Sequence, residues 1–279
     1  MREIKEYLSF SGLPELKNPS LIVGWSVDAS GLGAKVTDYL NRKLGGQSFG
    51  EIEPVDFFPL GGVTIENDLV QCPESKFYAC PDYDLIIFKS APPSYEFYKF
   101  LNLILDAAQH HCHVRELYNI GSMISLGAHT TPRQLRGTFN SPELKIALSQ
   151  YSFTSGVDYE TPPGHRPTLN SFLLWVAKKR NLIGVNLWVP IPFYLVTVDD
   201  PKAEKRVLEF FNQRFELGID LSDLDEEVRQ QNEKIVQVRS NFPDIDESIR
   251  RLESNLTISP EENQKLVTEI EKFLRKRAE

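Results

Sequence analysis

The chain has 279 residues, 39 of them acidic and 31 basic, a formal net charge of −8, and 41% hydrophobic content. That length can bury a large core, as one big domain or as a domain with an appendage, and the composition is that of an ordinary globular protein. The acidic balance excludes a dominant nucleic-acid surface, which needs a basic excess. Cys72, Cys80 and Cys112, without Cys-x-x-Cys spacing, exclude a disulfide framework and fit a reducing cytoplasm.

Met1 to Glu6 carries charge where a signal peptide would need an apolar stretch. Ser20 to Ser26 reads as a buried strand, Val27 to Gly33 as a loop and Ala34 to Leu40 as the opening of a helix. Such a turn leaves backbone N–H groups free at a helix N-terminus, where the dipole favours an anion. It fails the dinucleotide fingerprint, because Val36 stands where a third glycine is expected, and no Gly-Lys-Ser/Thr run makes it a P-loop. Glu51 to Phe58, Val63 to Val70 and Lys76 to Cys80 read as strands, and the compact apolar run Asp84 to Lys89 as a central one. Ser94 is a candidate cap for a helix whose Phe97, Phe100, Leu101, Ile104, Leu105 and Ala108 share one face. Val114 to Ile120 returns as a strand, residues 127–140 form a polar loop, Leu169 to Lys179 is helical and Gly184 to Val198 carries the last strands. Pro190 and Pro192 break that last apolar run, which is too short to span a bilayer. This alternation predicts a mostly parallel sheet with helices on both faces.

The pattern changes near residue 200. Asp200-Pro201 is a helix start, and Val207, Leu208, Phe211 and Phe215 form a stripe that Gly218 ends. Leu221, Leu224, Val228, Ile235, Val238 and Phe242 keep a three-and-four spacing that continues through Ile245, Ile249, Leu252 and Leu256. Pro243 interrupts it, so two helices with a bend are predicted. Ser259 to Glu262 is a capping box for a last helix with Leu266, Ile270, Phe273 and Leu274 on one face. The expected organisation is an α/β core over 1–200 and an amphipathic helical segment over 201–279.

Several clusters invite chemical readings. His110, His111 and His113 lie beside Cys112, but only His110 and His113 share a helix face, so no metal site is assigned. Gly121-Ser122-Met123-Ile124-Ser125 follows a strand where α/β proteins keep functional residues, yet lacks the Gly-x-Ser-x-Gly elbow and otherwise reads as a tight turn. Arg133 and Arg136 in the His129–Arg136 loop are placed to grip a carboxylate or phosphate, or to rim a subunit contact, or to be solvated. A pocket at the strand ends would draw on Asp28, Ser30, Gly31, Gly33, Gly121, Ser122, His129 and Arg133, with Asp28 and His129 as acid/base candidates. The rival reading gives Leu221, Leu224, Val228, Ile235, Val238, Ile249 and Leu252, on the C-terminal helices, a partner-binding role, against the plain reading of a packed cap.

Leu21 to Leu40, Gly121-Ser122-Met123, the His129-Thr130-x-Pro132 loop, Gly184 to Pro190 and the helical tail through Ser248 to Glu253 resemble, in order and spacing, the proteasome assembly chaperone family. The resemblance covers most of residues 18–256. It implies a three-layer α/β/α core of the phosphorylase/hydrolase-like kind and a non-catalytic, protein-binding homo-oligomer that assists assembly of a larger complex in the cytoplasm. No cofactor, nucleic acid or membrane belongs to that picture. Some bacterial relatives have been labelled ATP-grasp-like, and the alternative is therefore a small-molecule or anion-binding enzyme using the strand-end loops. Family members that dock on proteasomes can end in a hydrophobic-tyrosine-any motif, and Lys276 to Glu279 departs from it.

Overall fold

The computed structural model describes residues 7–59, 63–154, 160–161 and 164–275. Met1 to Glu6 and Lys276 to Glu279, on which the targeting and C-terminal expectations rest, lie outside the described residues. Internal contacts divide the chain into two units, the first holding residues 1–27, 33–121 and 136–187 and the second residues 28–32, 122–135 and 188–279.

The elements in chain order are β1 (Leu8–Phe10), β2 (Ser20–Trp25), α1 (Leu32–Leu44), β3 (Gln47–Ile52), β4 (Thr64–Glu66), β5 (Leu69–Gln71), β6 (Ser75–Cys80) and β7 (Leu85–Ser90). They continue with α2 (Phe97–Asp106), β8 (Glu116–Ser125), β9 (Arg136–Phe139), α3 (Pro142–Ala147), α4 (Leu169–Lys179) and β10 (Ile183–Pro192). Four helices close the chain: α5 (Pro201–Arg214), α6 (Ser222–Asn241), α7 (Pro243–Glu253) and α8 (Pro260–Arg275).

Eight strands form one sheet in the order β1-β3-β6-β7-β2-β8-β10-β9. Every residue of β2 is buried, and its parallel neighbours β7 and β8 align Ile87 and Tyr118 with Ile22. Strands covered on both faces need continuous apolar runs, which is why Leu21–Trp25 and Leu85–Phe88 were readable. The pairings β1–β3, β3–β6 and β6–β7 are antiparallel, so the sheet is mixed and its parallel part is confined to one side.

Alternation along β2 places helices on both faces. Leu21, Val23 and Trp25 share a core with Phe100, Leu101 and Ile104 of α2 and with Leu173, Val176 and Ala177 of α4. On the opposite face α1 begins hard against the strand. A Cβ on Gly24 would lie 2.4 Å from the Gly33 carbonyl oxygen, and one on Gly33 would lie 2.8 Å from the Trp25 nitrogen. Gly33 therefore serves close strand–helix packing, the role of the third glycine in nucleotide-binding folds, without the rest of that motif.

Four local readings need correction. The strand expected over Glu51 to Phe58 lies earlier, at β3. The amides of Phe57 and Phe58 turn back to the Pro54 carbonyl at 3.0 and 3.1 Å, so both rings reach the core from a turn. Val63 to Val70 is a hairpin, because Asn67 and Asp68 take positive φ angles of 51° and 64° between β4 and β5. Ser94 caps nothing: Glu96, left-handed at φ 48°, precedes α2. The polar loop over 127–140 ends in a strand, β9, at the sheet edge, where short polar strands are tolerated.

Candidate functional site

Six of the eight ligand candidates, Asp28, Ser30, Gly31, Ser122, His129 and Arg133, fall in the second unit, whereas Gly33 and Gly121 belong to the first. Gly121 and Ser122 lie within β8, so the expected turn after that strand is a continuation of it. The Asp28–Gly31 turn is closed by its own bonds. Ala29 N–H donates to Ser122 Oγ at 2.9 Å, Ser30 N–H to the Val196 carbonyl at 2.7 Å, and Gly31 N–H to the Asp28 carbonyl at 3.2 Å. Ser30 and Gly31 take the left-handed conformation, φ 64° and 62°, to make this possible. These three amides are satisfied inside the protein.

The polar loop is treated the same way. His129 is buried, with its backbone N–H donating to the Tyr194 hydroxyl at 2.5 Å and its Nδ1 lying 2.9 Å from the same oxygen. The hydroxyl accepts from the amide and shares a second hydrogen bond with Nδ1. Burial drives the His129 pKa down to about 4, with the nearby Lys202 charge adding to the effect and Glu253 opposing it. Burial raises the Tyr194 phenol, so it remains a donor. Lys202 Nζ donates to the His129 carbonyl at 3.0 Å, and its own pKa is lowered, chiefly by burial and then by Arg133.

Arg133 and Asp200 form a buried ion pair at 2.8 Å, their side chains 3% and 0% exposed. Arg133 Nη1 donates to the Thr131 carbonyl at 2.7 Å, and Asp200 Oδ1 accepts the Ala203 N–H at 3.2 Å, capping α5. The carboxylate thus faces both a guanidinium and a helix N-terminus. Arg133 Nη2 is buried without a hydrogen-bond partner. The two N–H bonds of that nitrogen, on a guanidinium already held on two sides, do not by themselves make an anion site. Thr130 Oγ1 donates to Glu253 at 3.3 Å, and Glu253 in turn accepts from Arg239 at 2.9 Å, so the loop is tied to α7 and, through it, to α6. Arg136 lies in β9 and plays no part in this cluster.

The helical expectations hold in their local detail. The bend falls between Asn241 and Pro243, and Ser259 and Glu262 bond reciprocally at 2.6 and 3.2 Å. Of the partner-binding candidates, Leu224, Ile235, Val238, Ile249 and Leu252 are buried, and Leu221 and Val228 are half-buried. The five buried side chains form the interior of the helical bundle, and Leu221 and Val228 remain partly accessible. The periodicity that drew attention to them is the signature of intramolecular packing. The histidine cluster separates as well. His110 sits beside Asp106 at 3.8 Å, the His111 ring lies 4.8 Å from Phe10, and Cys112 is buried with its thiol pushed up to about 11.

Sequence reasoning did not assemble Tyr194, Lys202 and Glu253 with the loop, and it read Asp200 only as a helix start. The signal available was the Asp200-Pro201 pair, whose capping carboxylate has a second side free for a cation.

The sequence profile of the PAC2 family matches residues 21–239. The chain belongs to the PAC2 family. Among solved structures, a Mycobacterium tuberculosis protein of unknown function superposes with a TM-score of 0.75 at 18% identity, covering 98% of this chain and 97% of that one. PbaB of Pyrococcus furiosus, an archaeal proteasome activator, gives 0.68 at 22% identity over 83% of this chain and 98% of its own. PbaA of the same organism, an archaeal homologue of proteasome-assembly chaperone, gives 0.65 at 18% identity over 89% and 97%. At these identities the likeness is one of fold. No curated protein sequence is significantly similar to the chain. Among the described residues no helix is long and apolar enough to cross a membrane.

Proposed function

We propose that this PAC2-family protein is a non-catalytic, protein-binding homo-oligomer of the proteasome assembly chaperone type, acting in the cytoplasm on the assembly of a larger complex. The observation that carries this reading is the closed state of the strand-end loops. The groups an enzyme or anion binder would present, the amides of Ala29, Ser30 and Gly31 together with His129 and Arg133, hold each other and their own unit in place. A histidine pushed down to about 4 by burial is a poor base at neutral pH, because the buried site disfavours the charged imidazolium that accepting a proton would create. Membership of a family whose fold neighbours include a proteasome activator and a chaperone homologue agrees with a protein-binding role.

Two measurements on the full chain test the proposal. A thermal-shift screen with MgATP, MgGTP and phosphorylated sugars is expected to leave the melting midpoint unchanged, and a shift of several degrees with any of them would restore the small-molecule reading. Cross-linking in the source cell followed by mass spectrometry is expected to recover a second copy and the subunits of one multi-subunit complex. Recovery of the chain only as an unlinked monomer contradicts the proposal.

A further inference from the structure

The first unit carries a surface whose chemistry differs from that of the rest of the chain. On the outward side of α2 and α4, Tyr95, Tyr98 and Trp175 are 56%, 57% and 48% exposed. The rings of Tyr98, Phe172 and Trp175 form a continuous strip. Tyr98 stacks on Phe172 at 6.2 Å, and Phe172 meets Trp175 at 5.8 Å. Beside the strip lies an open cleft of about 520 Å³, walled by Ser94 to Phe97 on one side and Arg166 to Phe172 on the other. Exposed single apolar residues are ordinary, but adjoining aromatics beside a cleft mark an interaction surface.

The charge on this surface is inverted relative to the molecule. The chain is at −8, yet α4 contains Lys178 and Lys179 and no acidic residue. Arg166 stands over the Phe97 ring at 5.1 Å and Lys179 over Trp175 at 5.5 Å. Among the described residues neither cation is engaged by a carboxylate, whereas Arg180 of the same segment is held by Asp106 at 2.6 Å. Cations resting on aromatic faces keep their charge turned outward and the rings pre-positioned. Among the described residues Glu96 is the one carboxylate that lines the cleft.

Resting on the protein-binding reading above, we infer that this aromatic, cationic face docks an acidic segment of a partner protein that inserts an apolar anchor into the cleft. A second copy of the chain does not suit it. A two-fold contact sets a patch against itself, which would bring Arg166, Lys178 and Lys179 towards their own counterparts. The aromatic residues supply contact area at little cost in conformational entropy, while the cations select sign and accelerate encounter.

The test titrates the full chain against a short fluorescein-labelled peptide in which glutamates flank a Leu-Phe pair, followed by fluorescence anisotropy. A control peptide has lysines in place of the glutamates. The acidic peptide is expected to bind and the lysine peptide to fail. Affinity should drop at least tenfold in Trp175→Ala and in Arg166→Glu, recover in Trp175→Phe, and weaken as salt rises. Because Trp175 and Arg166 are exposed, unchanged melting midpoints verify that the variants fold. Absence of binding, equal binding of the two peptides, or indifference to both substitutions overturns the inference. So does conversion of an oligomer to a monomer by Trp175→Ala in light scattering, which would make the face a self-contact. If cross-linking still recovers complex subunits with the Trp175→Ala/Arg166→Glu double variant, this face is wrong and the protein-binding reading survives. If the wild-type chain recovers none, that reading fails on its own account.

Discussion

The loop from Ala128 to Arg133 and the outer side of α2 and α4 deal with polarity in opposite ways. The loop has a histidine and an arginine, residue types from which ligand sites are built, and it buries both against Tyr194 and Asp200, while its two threonines stay exposed. The helices present Tyr95, Tyr98 and Trp175 to solvent beside cations that no described carboxylate engages. Polar density is therefore a poor guide to the working surface of this molecule. A group acts on a partner only where it is exposed to one, and that condition holds on the aromatic side.

Removing one half of the Arg133–Asp200 pair should have the largest consequence. Arg133→Met or Asp200→Asn leaves a buried charge or dipole uncompensated and is expected to cost about 3–5 kcal/mol in denaturant unfolding of the full chain. A cost below about 1 kcal/mol for both would place the loop among exposed, replaceable contacts.

The neutral histidine gives a pH signature of somewhat smaller size. Its folded-state pKa of about 4 lies below the ordinary 6.5, so the unfolded chain binds the extra proton first as pH falls. The associated stability is fully present above the ordinary value and is lost between there and about 4, by up to roughly 3 kcal/mol. The His129→Leu variant should show a shallower decline over that window than the wild type, compared by urea titration at each pH. Identical pH profiles would mean that His129 is not held neutral.

Tyr194→Phe is a smaller perturbation, since it keeps the ring and deletes one hydroxyl. It strands the His129 amide and Nδ1 together and is expected to cost about 1–3 kcal/mol. Trp175→Ala, by contrast, should leave stability within about 0.5 kcal/mol of wild type while reducing peptide affinity, which is the reverse of the loop variants.

The parts of the fold that were legible in the sequence depend on local pattern. β2 and β7 are apolar on both faces, α4 repeats its apolar residues at helical spacing, Pro243 breaks the tail, and Ser259 with Glu262 announces a helix. Within the antiparallel half of the sheet, β6 was legible as Lys76 to Cys80, whereas β3, with its exposed Gln47 and Ser48, was misplaced because it lacks the strong apolar run of a central strand. The site was misread for a different reason. Tyr194 and Asp200 lie 65 and 67 residues from their partners, and no local pattern reveals that a loop histidine or arginine is already engaged. The same holds for Leu224, Ile235 and Val238, whose stripe is equally compatible with an internal seam and an external one until the facing helices are placed.

A double-mutant cycle on Arg133 and Asp200, read by chemical unfolding of the full chain, reaches the central claim most directly. If the polar loop is a structural tie, each single variant is strongly destabilised, and Arg133→Met combined with Asp200→Leu recovers most of the loss, giving a coupling of at least about 2 kcal/mol. Two nearly neutral single variants whose effects simply add would contradict it, and would return Arg133 to the role of a free guanidinium awaiting a ligand.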